Sequence, residues 1–407
     1  MQEIIRTYYL NTLIEWKDKH FIKVITGVRR SGKSTILNQF KTKIIKDFKV
    51  NKNQIISYDF NDLILSQLKY LELYKDIISK SSKNIINYVF LDEIQEIENF
   101  EKVVISLFEN KEYKYDIYIT GSNSKMFSSN LSTLFTGRNI EIKVFPLSFK
   151  EFYGCAKDIL KNNDKTSIFN KYLNYGGLPI ILESLDNNKE IEKILSTVFD
   201  DTVQRDIHLR HSIKKIRDFE NFAKYVYFNI GSTISTINVS NYIKTNNKTK
   251  IAHTTIERYL KWLEESLLIY RTDFYHIGGK KLLQKSAKYY SVDTGIRNAE
   301  SKFEISNKGF LLENIVFLEL LRNDYKVFVG TLRDGEIDFV CEKNNIKTYI
   351  QVTTTLETKE IIEREYGNLK KIHDSNKKIV ISLEQNEGTD DFGIESKNII
   401  NWLLAEK

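Results

Sequence analysis

Proline is nearly absent from this chain: Pro146 and Pro179 are its only two in 407 residues. With no Gly/Ser-rich tract either, a long flexible linker is excluded and the domains are expected to pack against one another. Cysteine is equally scarce. Cys155 and Cys341 lie far apart, which excludes a disulfide framework and suits a reducing cytoplasm. No stretch approaches the roughly 18 uninterrupted apolar residues that a membrane helix needs. The opening Met1-Gln2-Glu3-Ile4-Ile5-Arg6 lacks the basic-then-apolar layout of a secretion signal. These absences predict a soluble, cytoplasmic protein with no membrane partner. What is present suits packed cores, at 41% hydrophobic and 12% aromatic residues, and the length predicts two to four domains. The net charge of +7 is uneven, because residues 244–297 carry eleven Lys or Arg against five acids. That segment is either a solvated basic face or a surface for nucleic acid or another polyanion.

The most specific signal is Gly27-Val28-Arg29-Arg30-Ser31-Gly32-Lys33-Ser34, followed by Thr35. It is a full phosphate-binding loop pattern, placed between a strand candidate, residues 21–26, and a helix candidate, residues 35–40. A strand entering a glycine-rich turn and then a helix aims successive backbone N–H groups at one point, where a nucleotide's β-phosphate would sit. Lys33 would reach the β- and γ-oxygens and the Ser34 hydroxyl would ligate Mg²⁺. A second strand candidate, residues 54–60, follows at βαβ spacing. Then Tyr88-Val89-Phe90-Leu91 leads into Asp92-Glu93, as a buried parallel strand presents acids at its carboxyl end. Asp92 is the expected Mg²⁺ holder through water, and Glu93 the group that orients and deprotonates the attacking water; the plainer alternative is that both cap the next helix. A third strand, residues 115–119, ends in Thr120-Gly121-Ser122-Asn123-Ser124, making Ser122 or Asn123 the candidate γ-phosphate sensor. Arg138 precedes a further strand, residues 140–145. It is either a charge stabiliser for the γ-phosphoryl group, in its own subunit or a neighbour's within an oligomer, or a surface salt bridge.

Together, Ile5-Arg6-x-x-Tyr9-Leu10, the loop itself, Leu91-Asp92-Glu93-Ile94-Gln95, Thr120-Gly121-Ser122, Thr136-Gly137-Arg138 and Pro146-Leu147-Ser148-Phe149-Lys150-Glu151-Phe152 resemble the prokaryotic ATPases of the AAA superfamily. The resemblance is to the branch with a C-terminal domain of unknown function, and Tyr175-Gly176-Gly177-Leu178-Pro179, Asp293-x-Gly295-Ile296-Arg297 and Gly309-Phe310-Leu311-Leu312-Glu313-Asn314 extend it along the chain. It implies ATP and Mg²⁺ as ligands and ATP hydrolysis as the activity, and it adds Arg6 to the nucleotide-binding set.

Downstream, residues 153–231 show apolar residues three or four apart, as at Ile191, Ile194, Leu195, Val198 and Phe199, and predict a helical lid. Asp200, Asp201, Arg205 and Asp206 form either a domain-contact network or an exposed helix face. Residues 235–243 read as a short helix. A second helix runs from Thr254, a candidate N-cap, through Ile256, Leu260, Leu263 and Leu267. With the strand-like Ile269-Tyr270-Arg271 they resemble a winged helix-turn-helix, whose second helix would enter a DNA major groove with Lys248, Lys250, Arg258 and Lys261 near phosphates. The alternative is a packing or protein-binding joint, which the acids Glu257, Glu264 and Glu265 favour. In the last hundred residues, Glu313 on a helix, Asp338 ending a strand at 335–340, and Gln351 on a strand at 348–353 resemble a restriction-endonuclease-like core. Its Glu-x-Lys positions here read Gln351 and Thr353. Loss of that carboxylate and ammonium predicts a catalytically degenerate site, with Lys347 or Lys359 as conceivable substitutes.

The expected fold is therefore α/β. A doubly wound parallel sheet of AAA type (1–150) is followed by a helical lid (151–231), a winged helix-turn-helix (232–297) and a small endonuclease-like α/β domain (298–407). The expected function is ATP-driven switching coupled to double-stranded DNA or a protein partner. The alternatives are a nucleotide-gated protein-interaction module with little turnover, and an ATP-dependent nuclease.

Overall fold

The computed structural model describes residues 4–123, 135, 137–211, 213, 215–247, 251–278, 287–303, 308–385 and 387–405. They fall into two compact units, one formed by Met1–Phe145 with Glu265–Leu267, the other by the remainder. The first contains α1 (Thr7–Trp16), β1 (Ile22–Thr26), α2 (Lys33–Asp47), β2 (Ile55–Asp59), α3 (Tyr70–Lys80), β3 (Ile86–Asp92), α4 (Phe100–Phe108), β4 (Lys114–Gly121) and β5 (Asn139–Lys143). Its strands form one parallel sheet in the order β2-β3-β4-β1-β5.

Both faces of that sheet are covered because side chains alternate along each strand. Tyr88 and Phe90 of β3 join Tyr118, Ile25 and Ile142 in a core closed by Tyr9, Leu10 and Leu13 of α1 and Ile36, Leu37, Phe40 and Ile44 of α2. Val89 and Leu91 face the other way, with Val24, Ile117 and Ile119, against Leu73 and Ile77 of α3 and Val103, Val104 and Leu107 of α4. Parallel pairing gathers all five carboxyl ends at one edge, so the segments after Thr26, Asp92 and Gly121 emerge side by side.

The second unit opens with helices at Phe149–Leu160, Lys165–Tyr175, Asn188–Thr202 and Ile216–Phe228, in keeping with the predicted helical stretch. Next come β6 (Thr233–Ile234), helices at Thr236–Asn247 and His253–Glu265, then β7 (Ile269–Thr272), β8 (Phe274–His276) and β9 (Ala287–Ser291). The second helix begins at His253, where Thr255 N–H already bonds to the Ala252 carbonyl, so Thr254 lies within its first turn and is not the N-cap. Strands β6, β9 and β7 form a three-stranded antiparallel sheet. β8 instead adds an edge to a seven-stranded mixed sheet built from β10 (Lys326–Leu332), β11 (Gly335–Lys343), β12 (Ile346–Val352), β13 (Lys377–Ser382), β14 (Gly388–Thr389) and β15 (Ile394–Asn398). β11 runs on to Lys343, so Asp338 sits in mid-strand and not at a strand end. Among the described residues, no helix is long and apolar enough to cross a membrane.

Asp293 is the polar centre of the second unit. It caps the Thr294–Glu300 helix by accepting from the N–H groups of Gly295 (2.9 Å) and Ile296 (3.2 Å), and it accepts a third bond from Gly177 N–H (2.7 Å). Burial raises its carboxyl to about 6 against these three donors. Between the unfolded value, near 4, and about 6 the native state holds a proton that the unfolded chain has released, so stability falls as pH rises through that window. The expected loss from this group is about 3 kcal/mol between pH 4 and pH 7. In Asp293→Asn, urea unfolding across that range should show the Asp293 component gone, with the Gly177 bond sacrificed at every pH.

Candidate functional site

The loop after β1 is shaped by two glycines. A Cβ on Gly27 would lie 2.3 Å from the Val144 carbonyl oxygen and 2.8 Å from Ser31 Oγ, so only glycine fits there. Gly32 lies at φ +96°, a left-handed conformation that lets the chain turn directly into α2. Val144 N–H bonds to the Thr26 carbonyl at 2.6 Å, pinning the residue beyond β5 to the end of β1. The buried Arg6 guanidinium donates to the carbonyls of Ser31 (3.2 Å) and Phe145 (2.7 Å) and lies over the Tyr9 ring. Through Ser31 it braces the loop backbone. Within the loop Val28 is buried, Arg29 half-buried, and Arg30 and Thr35 exposed.

Lys33 is 4% exposed, and its ammonium donates to the carbonyls of Gly27 (3.0 Å) and Val28 (3.3 Å). It also pairs with Glu93 Oε1 at 3.3 Å. Glu93 follows the last residue of β3 in the left-handed region, φ +52°. Its N–H donates to Thr120 Oγ1 at 2.8 Å, and its second carboxylate oxygen accepts a short bond from Gln95 Nε2. The Thr120 hydroxyl donates in turn to Asp92 Oδ1, and Asp92 also bonds the Ser34 hydroxyl. The residues named from sequence on three separate strand ends therefore meet in one network. Ser122 and Asn123 are buried at the same edge, beyond β4.

The two adjacent carboxylates are driven apart. Burial pushes Asp92 up, only partly offset by Thr120 and Ser34. Burial also pushes Glu93 up, but the Lys33 ammonium, the Gln95 amide and the Arg29 guanidinium together outweigh it and hold the carboxyl below its usual range. A nucleotide phosphate fits this edge: the glycine cradle is present, Ser31 Oγ is buried with no hydrogen-bond partner among the described residues, and the Lys33 ammonium is in place. Mg²⁺ is typically held by one or two carboxylates plus substrate phosphates, and Ser34 beside Asp92 supplies such a donor set.

Arg138 is a correction for action on its own nucleotide. It precedes β5 at the amino edge of the sheet, where its carbonyl accepts from Ile22 N–H, and its guanidinium pairs with Glu109 at 2.9 Å. The length of β1, about 13 Å, separates that edge from the loop.

In the second unit, Glu313, Asp338 and Gln351 do assemble. The Asp338 carboxylate accepts from Val352 N–H (2.7 Å) and its own N–H donates to Gln351 Oε1 (3.3 Å). Glu313 is buried and accepts from Tyr290 OH at 2.6 Å. The ammonium that sequence reasoning sought at Lys347 or Lys359 comes instead from Lys288 on β9, 3.4 Å from Glu313 and 2.5 Å from Glu336. Lys347 is taken by Tyr275 OH (2.8 Å), and Lys359 is exposed. Lys288 is 6% exposed, and Glu313, Glu336 and Asp338 keep its ammonium charged, well above the ordinary lysine range, despite burial. Among the described residues no three His, Cys, Asp or Glu side chains are grouped to hold a metal.

Of the expected DNA contacts, Lys248 and Lys250 lie outside the described residues, while Arg258 and Lys261 are exposed on the His253–Glu265 helix, opposite its buried Ile256, Tyr259, Leu260 and Leu263. The basic excess of residues 244–297 is not all surface. Lys288 and Arg297 are buried, and Arg271 pairs with Asp273.

Residues 19–153 match the family described as AAA domain, and residues 166–306 match a domain of unknown function. An uncharacterized protein of Haemophilus influenzae is 36% identical over 404 residues, covering 98% of both chains. One from Methanocaldococcus jannaschii is 31% identical over 391 residues, covering 92% of this chain and 85% of its own. The fold is similar to that of the Walker-type ATPase of Pyrococcus abyssi, with a TM-score of 0.53 at 15% identity, over 73% of this chain and 96% of that one.

Removing Lys288 would leave Glu313 buried without its cation. Lys288→Met is expected to lower unfolding stability by about 3 kcal/mol, and Lys288→Met with Glu313→Leu to recover most of it, measured by urea unfolding.

Proposed function

The chain belongs to the prokaryotic P-loop ATPases of the AAA superfamily that carry a domain of unknown function, and on that footing we propose that it hydrolyses Mg-ATP as a switch coupled to DNA. The observation that carries the proposal is the convergence of Lys33 and Glu93 at 3.3 Å on the carboxyl edge of the sheet. A phosphate-directed ammonium and a carboxylate held ionised beside it supply a binding group and a general base in one place. Backbone N–H groups from Gly27 to Thr35 hold the phosphates, Lys33 compensates their charge, and Ser34 with Asp92 holds Mg²⁺, whose positive charge stabilises the phosphate oxygens when it is bound. Glu93 orients and deprotonates water, with Ser122 or Asn123 beside it as sensor. Arg138 lies at the opposite edge in an exposed pair with Glu109, which supports the surface salt-bridge reading; serving a neighbouring subunit's nucleotide is the alternative role for it.

For the output, the order of one helix, β6, two helices, β7 and, after β8 leaves for the other sheet, β9 is similar to that of a winged helix, which supports DNA as the partner. Arg258 and Lys261 on the exposed face of the second helix are its phosphate contacts. A second reading, a protein-binding joint, is favoured by the exposed Glu257 on the same face and by the burial of Lys288 and Arg297. The endonuclease-like sheet is read as a platform without nuclease chemistry, since Gln351 stands where a metal-holding carboxylate is needed and, among the described residues, no acid cluster is grouped to hold a metal.

Glu93→Gln is expected to cut ATP turnover at least 100-fold while a fluorescent ATP analogue binds with unchanged affinity. Turnover equal to wild type in that variant overturns the hydrolytic assignment. Double-stranded DNA titrated across a salt series should bind with affinity that falls steeply as salt rises, and Arg258→Ala with Lys261→Ala should flatten the slope by about two. No binding at low salt favours the protein partner.

A further inference from the structure

Glu93 is held by more than its ion pair. Its backbone occupies φ +52°, ψ +45°, a conformation that side-chain-bearing residues adopt rarely and that persists only where surrounding contacts over-determine it. Two contacts do so here: Thr120 Oγ1 fixes the Glu93 N–H, and Gln95 Nε2 binds carboxylate Oε2. The same Gln95 amide nitrogen lies 3.5 Å from Ser122 Oγ, so it spans the ends of β3 and β4. Lys33 occupies the opposite oxygen, Oε1.

The two partners of the carboxylate therefore differ in kind. Lys33 belongs to the phosphate loop and is the group that substrate phosphates claim. Gln95 is two residues along the chain from Glu93 and has no such competitor. Once the ammonium turns to phosphate, Glu93 keeps the hydrogen bond from Gln95 as well as the less directional attraction of the Arg29 guanidinium, and the direction of its carboxylate is set by the Gln95 amide. A donor on one oxygen leaves the other oxygen open to accept a proton from water, which is the geometry a general base needs.

We propose that Gln95 is a positioning residue for hydrolysis, holding the Glu93 carboxylate toward the attacking water after Lys33 has turned to the substrate phosphates and linking that carboxylate to Ser122 at the end of β4. The assignment rests on the reading of Glu93 as the general base. It accounts for the proximity of Gln95 to Ser122, because a shift at the sensor strand end would be transmitted through one amide to the base.

The test compares wild type, Glu93→Gln, Gln95→Met, Gln95→Glu and the double variant Gln95→Met with Glu93→Gln in the full-length protein. Met keeps the size of glutamine without a donor, and Glu keeps its shape while repelling the Glu93 carboxylate. Both Gln95 variants are expected to lose at least tenfold in kcat. KM for ATP and the dissociation constant of a fluorescent ATP analogue should stay within threefold of wild type, which also reports an intact fold. The double variant should be no slower than Glu93→Gln alone, since the two groups act as one unit. Wild-type kcat in Gln95→Met beside an inactive Glu93→Gln overturns the Gln95 assignment and leaves the hydrolytic reading standing. A double variant clearly slower than Glu93→Gln overturns it too, as does a loss in Gln95→Met confined to nucleotide affinity. Full activity in Glu93→Gln removes the hydrolytic reading and this inference with it.

Discussion

The candidate site depends on how tightly the end of β5 is held against the end of β1. The Val144 carbonyl fills the space a side chain on Gly27 would need, its N–H is bonded to Thr26, and Arg6 ties Phe145 to Ser31. With the loop backbone clamped on that side, its remaining freedom is the turn at Gly32 into α2, which sets where Lys33 emerges. A phosphate-binding loop is a set of backbone donors, and donors are only as well aimed as the backbone is fixed.

Against that fixed loop, the two acids at the end of β3 are sorted by their surroundings. Asp92 points back to hydroxyls, Ser34 and Thr120, and burial raises it; Glu93 meets two cations and an amide, and is lowered. Two adjacent residues at one strand end thus sit in unlike electrostatic surroundings, set by which groups each side chain meets. Thr120 joins the pair by donating its hydroxyl to the Asp92 carboxylate and accepting the backbone N–H of Glu93, so one side chain ties the first acid to the backbone of the second.

Much of this was legible in the chain because it is written locally. The phosphate loop, the apolar run into Asp92-Glu93 and the five strand positions are contiguous patterns, and each strand formed within two residues of its expected place. What escaped was set by pairing across the sheet. Thr120 and Gln95 carry no motif of their own, and their roles appear only when β3 and β4 are side by side. Lys288 lies before the helix bearing Glu313, whereas the lysines considered from sequence, Lys347 and Lys359, flank Gln351. Arg138 was read by its neighbours in sequence, which do not say which edge of the sheet it occupies. The strand-like Gly335 to Val340 reads from sequence as ending near Asp338, whereas β11 continues through Cys341 and Glu342 to Lys343.

The Arg6 clamp also orders events during synthesis. It joins positions 25 and 139 residues apart, and the wall behind Gly27 is residue 144. A ribosome adds residues at about 5 to 20 per second, so a nascent chain carries the complete loop sequence for roughly 5 to 20 seconds before the strand that shapes it exists. Through that interval the growing polypeptide has no assembled site with which to capture nucleotide, and ATP can assist only the last step of this unit's maturation.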